Sequence, residues 1–270
     1  MTKRSFLLSV LFVVQLLTVV MAQNNSQTQL KGTILIHTSN KQDIEGYVCL
    51  ELSTMSITNS WDEELKKIAS IKWENSYNDS IAEAQNKYAI KRIQQLGLWK
   101  TYQYAMSVNP TCEFAINYGA YGDGDIVNLQ TGDQFKFKEL LDAFAKINMH
   151  IYSLCWSSTG KKIAIAGFDS NEKPYYLIEI DLYAQKVISF YKYEKAIMDI
   201  CYDAGSDKLA VLLEISRVPW RWLWGLLGGH GMTYYDYYFT IFDPKKKSVV
   251  MPEVFLFKDA RHGASLRWIE

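Results

Sequence analysis

Residues 151–167 read IYSLCWSSTGKKIAIAG, and residues 197–213 read IMDICYDAGSDKLAVLL. Each segment is a short apolar run, a polar turn containing glycine, and a second apolar run. Trp156 and Tyr202 fill the same slot, as do Ile163 and Leu209, and both pairs stand 46 positions apart. Two apolar runs around a tight turn make an antiparallel hairpin. A fixed period of this size marks an array of similar units that bury their apolar faces against one another.

A second motif recurs four times. Leu50-Glu51-Leu52 lines up with Val127-Asn128-Leu129, with Ile180-Asp181-Leu182 and with Phe242-Asp243-Pro244, each followed by turn residues. The rule is apolar, then an acid or amide, then Leu or Pro, then a turn. A short acid or amide accepts hydrogen bonds from turn amides two residues on. Glu51, Asn128, Asp181 and Asp243 are therefore expected to cap turns rather than to do chemistry.

Joining the two motifs yields a four-stranded unit, with strands at 151–156, 162–167, 175–182 and 186–192. This unit resembles the blade of a β-propeller, in particular the WD-type and periplasmic Tol-type blades, whose first hairpin reads W-S-x-x-G-x-x-I-A. Trp156-Ser157-Ser158-Thr159-Gly160-Lys161-Lys162-Ile163-Ala164 matches that hairpin closely. Residues 202–210 match it loosely, and residues 104–119 (YAMSVNPTCEFAINYG) are a weaker copy. The resemblance covers residues 32–59 and 104 to the C-terminus. It implies a fold and no particular activity.

Residues 264–270 (ASLRWIE) look like a lone first strand, with Trp268 in the slot of Trp156. Residues 32–59 hold second to fourth strands and lack a first. Pairing the two would complete one blade, and ring closure removes the exposed edges that invite aggregation; the alternative is that the chain ends on an unrelated strand. The expected architecture is an all-β core in one domain, 31–270. It is a small β-propeller of about five blade positions, closed by pairing of the C-terminal and N-terminal strands.

Two stretches interrupt the pattern. In 60–97, Ser60 and Glu63 are spaced as a capping box, and Trp61, Leu65, Ile68 and Ala69 fall on one helical face. Asn78 or Asp79 can start a second helix, and Gly97 suits its end. A helical insertion is expected here, with a degenerate blade (strands at 68–73 and 81–84) as the alternative. Residues 140–145 (LLDAFA) read as a short helical turn. Residues 217–238 (RVPWRWLWGLLGGHGMTYYDYY) form an insertion rich in Trp and Gly between the second and third strands of the last full unit.

The N-terminus reads as an export signal. Lys3 and Arg4 precede an apolar run at 6–20, and Val20-Met21-Ala22 fits the small-residue cleavage rule. Residues 1–22 are expected to be a signal peptide and 23–30 a flexible leader, with an uncleaved anchor as the alternative. The expected location is the periplasm or the exterior.

Composition narrows the partners. The chain has 270 residues, with 29 basic and 29 acidic side chains and zero formal charge. No basic excess holds a phosphate backbone, so nucleic acid is not an expected partner. Cys155 and Cys201 occupy equivalent positions of neighbouring units, so free, mostly buried thiols are expected at Cys49, Cys112, Cys155 and Cys201 rather than disulfides. The four histidines are scattered, and no metal site or cofactor is implied.

Candidate function sits in loops held by a rigid scaffold. Trp220, Arg221, Trp222 and Trp224 have the composition of a binding hot spot, suited to a protein or envelope component or to peripheral membrane contact. Ser107, Ser153, Asp199 and Arg267 are expected near the central channel, Asp199 and Arg267 as further contacts. Non-catalytic binding is the expected function. The alternative is a glycan-acting hydrolase, which needs a second carboxylate facing Asp199.

Overall fold

The computed structural model describes residues 30–269 apart from 40–41, 43–44, 61–62, 76–78, 103–105, 119–123, 145–148, 170–173, 204, 206, 219–225, 227–232 and 261–263. The expected signal peptide and Trp220, Arg221, Trp222 and Trp224 lie outside the described residues, as does all of the expected leader but Leu30.

The chain opens with β1 (Thr33–Ser39), β2 (Glu45–Glu51) and β3 (Ser56–Ser60), then α1 (Glu63–Asn75), α2 (Asp79–Gln95) and the short α3 (Trp99–Tyr102). There follow β4 (Met106–Val108), β5 (Phe114–Asn117), β6 (Asp125–Asn128), β7 (Gln134–Lys136) and α4 (Phe137–Phe144). The repeated hairpins lie in β8 (Met149–Trp156), β9 (Lys162–Asp169), β10 (Tyr175–Asp181) and β11 (Lys186–Tyr193), then β12 (Ala196–Tyr202), β13 (Leu209–Arg217), β14 (Tyr234–Asp243) and β15 (Ser248–Ala260). The last strand is β16 (Ser265–Ile269).

These strands make four four-stranded antiparallel sheets, in the orders β16-β1-β2-β3, β4-β5-β6-β7, β8-β9-β10-β11 and β12-β13-β14-β15. Each is a blade-like meander, an arrangement consistent with a β-propeller. The C-terminal strand pairs with the N-terminal one: Ile34 lies opposite Trp268 and Ile36 opposite Leu266. The Trp268 indole donates to the Lys31 carbonyl at 3.1 Å.

The sheets pack face to face. Ile34, Ile36, Val48 and Leu50 meet Ala210, Leu212, Phe239 and Ile241. The other face of that second sheet, with Val211 and Leu213, meets Ala164, Ala166 and Leu177. Ile163, Ile165 and Ile178 in turn meet Phe114, Ile116 and Ile126. Helices cover the two remaining faces. Ala69 and Trp73 of α1 pack on Leu35 and Tyr47, and Ala89 and Ile93 of α2 pack on Ala115, Val127 and Leu129. Every sheet is thus buried on both faces, which is why the run 209–213 carries no polar alternation.

Two local expectations need correcting. Ser60 does not open a helix: it ends β3, opposite Tyr47 in the ladder, and the helix starts at Glu63. Strand pairing there takes the backbone that a capping box would use. Ile68 is about half exposed, and α1 instead buries Ala69 and Trp73, four residues apart, against the sheet.

The turn caps recur with one exception. Asn128 Oδ1 accepts from the Gln130 and Thr131 amides at 2.8 and 3.1 Å. Asp181 Oδ1 does the same with Tyr183 and Ala184, and Asp243 Oδ1 with Lys245 and Lys246. Glu51, one methylene longer, accepts instead from the Thr33 hydroxyl at 2.7 Å. Four residues beyond each capping position the backbone turns left-handed, at Met55, Gly132, Gln185 and Lys247. The four turns therefore share one backbone path, although only one of them carries the glycine that path favours.

Candidate functional site

β4, β8, β12 and β16 are the edge strands on one side of their sheets, and polar side chains link them in series. The Trp156 indole donates to Ser107 Oγ at 2.7 Å. Ser153 Oγ donates to Asp199 Oδ1 at 2.7 Å. Asp199 Oδ2 accepts from the Leu266 amide at 2.8 Å, and Oδ1 also takes the Ile200 amide at 2.9 Å. Burial raises the Asp199 pKa, and the Leu266, Ser153 and Ile200 donors and the Arg267 charge oppose that rise.

This geometry gives Asp199 a bracing role. Its oxygens are engaged by donors from three sheets, and among the described residues the groups acting on it are donors and a cation rather than a second carboxylate. A glycoside hydrolase needs such a pair. Arg267 lies near Asp199, but its guanidinium stacks on the Trp73 ring, 4.2 Å from the centroid, and donates to the Trp73 carbonyl. Ser107, Ser153, Asp199 and Arg267 are therefore brought to neighbouring strands, each with a partner inside the chain. The four cysteines are free, and each is largely but not fully buried, as expected. Burial pushes the Cys155 and Cys201 thiols up, so neither is a ready nucleophile.

A different site lies at the end of the sheets from which the Trp-rich insertion leaves. A cavity of about 270 Å³ opens between two sheets, lined by Tyr152, Phe168, Tyr175, Ala196, Ile197, Met198 and Glu214. The elements set it out simply. Tyr152 stands on β8, Phe168 and Tyr175 face each other across β9 and β10, and Ala196 lies opposite Glu214 across β12 and β13. Tyr152 is about half exposed and marks the rim.

Glu214 is the chemical group of this site. It is buried, and its Oε2 has no hydrogen-bond partner among the described residues. Burial raises its pKa, and a hydrogen bond from the Tyr237 hydroxyl partly offsets that rise. The Glu214 charge in turn raises the Tyr152 phenol, after burial itself. Sequence reasoning missed Glu214, yet a signal was present: a carboxylate directly follows the unbroken apolar run 209–213.

No family model and no curated protein matches this chain. Solved structures share some of its shape at low sequence identity. Sqt1 of Saccharomyces cerevisiae is 14% identical, with a TM-score of 0.33 over 59% of this chain and 35% of that one. The β-propeller domain of Cps50 (Swd1) from Myceliophteria thermophila is 10% identical, with a TM-score of 0.30 over 56% of this chain and 59% of that one. Hydrazine synthase of Kuenenia stuttgartiensis is 10% identical, with a TM-score of 0.35 over 77% of this chain and 47% of that one. The chain spans between 35% and 59% of these structures' lengths, and likeness at this level carries no functional inference.

Proposed function

We propose that this chain is an exported, non-catalytic propeller scaffold that binds a protein or a cell-envelope component through loops at one end. In this reading the four sheets and the α1–α2 pair fill five positions of a ring, and the pairing of β16 with β1 shuts it. The support for a helical fifth position is that α1 covers one outer sheet face and α2 another. The support for export is the apolar N-terminal run after Lys3 and Arg4.

One observation carries the choice of binding end. The insertion leaves from Arg217 and Tyr234, which are opposite each other on β13 and β14. That is the end that holds the cavity, and Glu214 is on the same strand as Arg217. Arg217 is ion-paired to Asp236 at 2.7 Å, which ties the two strands where the insertion departs. Within the insertion, Leu226 is 76% exposed. Trp220, Trp222 and Trp224 are the proposed anchors, with Arg221 beside them; Asp199 and Arg267 support the strands beneath.

The test is replacement of the three tryptophans by serine in the full chain, followed by capture from the native envelope fraction. Loss of one defined partner with an unchanged circular dichroism spectrum is the expected result. Undiminished capture of that partner would show that the insertion is not the contact.

A further inference from the structure

We propose that the cavity bounded by β8, β9, β10, β12 and β13 receives an alkylammonium group, the chemistry of a lysine side chain or of a small free amine. The inference deepens the scaffold reading by naming what one end of it recognises. Its test uses small probes, so its failure would leave the Trp-rich insertion untouched as a contact.

Three features converge. The first is charge. A buried carboxylate oxygen without a partner is costly, and a cation arriving with its own donors removes that cost. Among the described residues Glu214 Oε2 is such an oxygen, in a residue that lines the cavity. The second is the wall. Tyr152, Phe168 and Tyr175 supply three rings around the same space, and ring faces attract ammonium groups. The third is size. A volume of about 270 Å³ lies below the usual range for whole small-molecule ligands and suits a single side chain or a small amine. Apolar Ala196, Ile197 and Met198 complete the wall and would pack on the methylene stem.

Two described polar groups nearby, Tyr237 and Lys195, do not fill this role. Tyr237 donates to the Glu214 carboxylate but brings no positive charge. Lys195 directly precedes Ala196 of the cavity wall, yet it is paired with Glu253 and sits 4.4 Å from the centre of the Tyr238 ring.

The experiment is a methyl-detected NMR titration of the full chain with n-butylammonium, its neutral isostere n-butanol, and Nα-acetyl-lysinamide. The Ile197 and Met198 methyl groups are the reporters because both line the cavity. Saturable shifts of these methyls with n-butylammonium, at least roughly tenfold tighter than with n-butanol, are expected. Glu214→Gln should weaken that binding roughly tenfold or more, and Tyr152→Ala, at the half-exposed rim, roughly threefold. Tighter binding of Nα-acetyl-lysinamide than of n-butylammonium assigns the site to a partner's lysine; the reverse order assigns it to a free amine. Equal binding of n-butanol overturns the proposal. So does unchanged n-butylammonium affinity in a folded Glu214→Gln variant, or the absence of shifts at these two methyls.

Discussion

Ser153 Oγ donates to Asp199 Oδ1 at 2.7 Å, and the two residues stand 46 positions apart, one period of the repeat. The same slot in successive units therefore holds the two ends of one hydrogen bond. Asp199 passes the connection on to the Leu266 amide, so β8, β12 and β16 are braced through one carboxylate. Replacing it by alanine strands the Leu266 and Ile200 amides and the Ser153 hydroxyl. Asp199→Ala should lower stability by about 2–3 kcal/mol and Ser153→Ala by about 1 kcal/mol in urea unfolding. The double variant should cost clearly less than the sum, because both changes break one bond.

The turn glycine of the best-matched hairpin is held by its neighbour. Gly160 has φ +69°, and a Cβ there would come within 2.7 Å of Asn109 Nδ2. That amide donates to the Gly160 carbonyl at 3.0 Å while Oδ1 takes the Glu113 and Phe114 amides. Gly160→Ala should therefore cost about 2 kcal/mol, from the left-handed backbone together with the displaced Asn109. The converse holds at Gln185 and Lys247, whose φ values are 47° and 51°. Glycine at either position should gain about 0.5 kcal/mol, since relief of the backbone slightly exceeds the added chain entropy. Thermal midpoints of the three variants check both directions.

Glu179, Asp199 and Glu214 all have carboxyl pKa values raised by burial. A raised folded value means that the native state keeps its proton to higher pH than the unfolded chain does. In the window from the ordinary carboxylate range near ~4 up to the raised native values, the folded state binds more protons. Stability contributed by these groups therefore falls as pH rises through that window and levels off above it. Glu214→Gln should flatten part of this fall. Urea midpoints taken at acid and neutral pH should show the variant gaining on the native chain at neutral pH.

Strand β16 supplies the partner edge of β1 over Thr33 to His37. Its inward side chain, Leu266, joins the core shared with Ala210 and Leu212. Removing residues 264–270 should expose the β1 edge and yield a chain that aggregates or unfolds at much lower urea. Size-exclusion chromatography of the truncated chain, with the missing segment added back as a peptide, distinguishes edge loss from a general defect.

Much of the fold was legible because it repeats. The 46-residue spacing of Trp156 and Tyr202 reports strands of like length, and the acid-or-amide motif reports turns that three of its four copies cap. Leu35 blurred the alternation in β1 for a physical reason: the face opposite the sheet core is covered by Ala69 and Trp73 of α1, so apolar residues suit both sides. Ser60 misled because a capping pattern in sequence carries no record of the strand partner Tyr47. Glu214 was hidden in a different way. Nothing in a linear pattern states that Tyr152, Phe168 and Tyr175, from a neighbouring unit, converge on the end of β13. Asp199 drew notice as an isolated channel acid, while its three donors come from strands distant in the chain or from its own backbone.

The most direct measurement is site-specific photocrosslinking in the native cell, with a photoreactive residue at position 222 in one variant and at Tyr183 in another. Tyr183 is exposed in the turn between β10 and β11, at the opposite end of the sheets. A binding face at the insertion end predicts one discrete adduct from position 222 and none from position 183. Adducts of equal yield from both ends, or an adduct from position 183 alone, would contradict it.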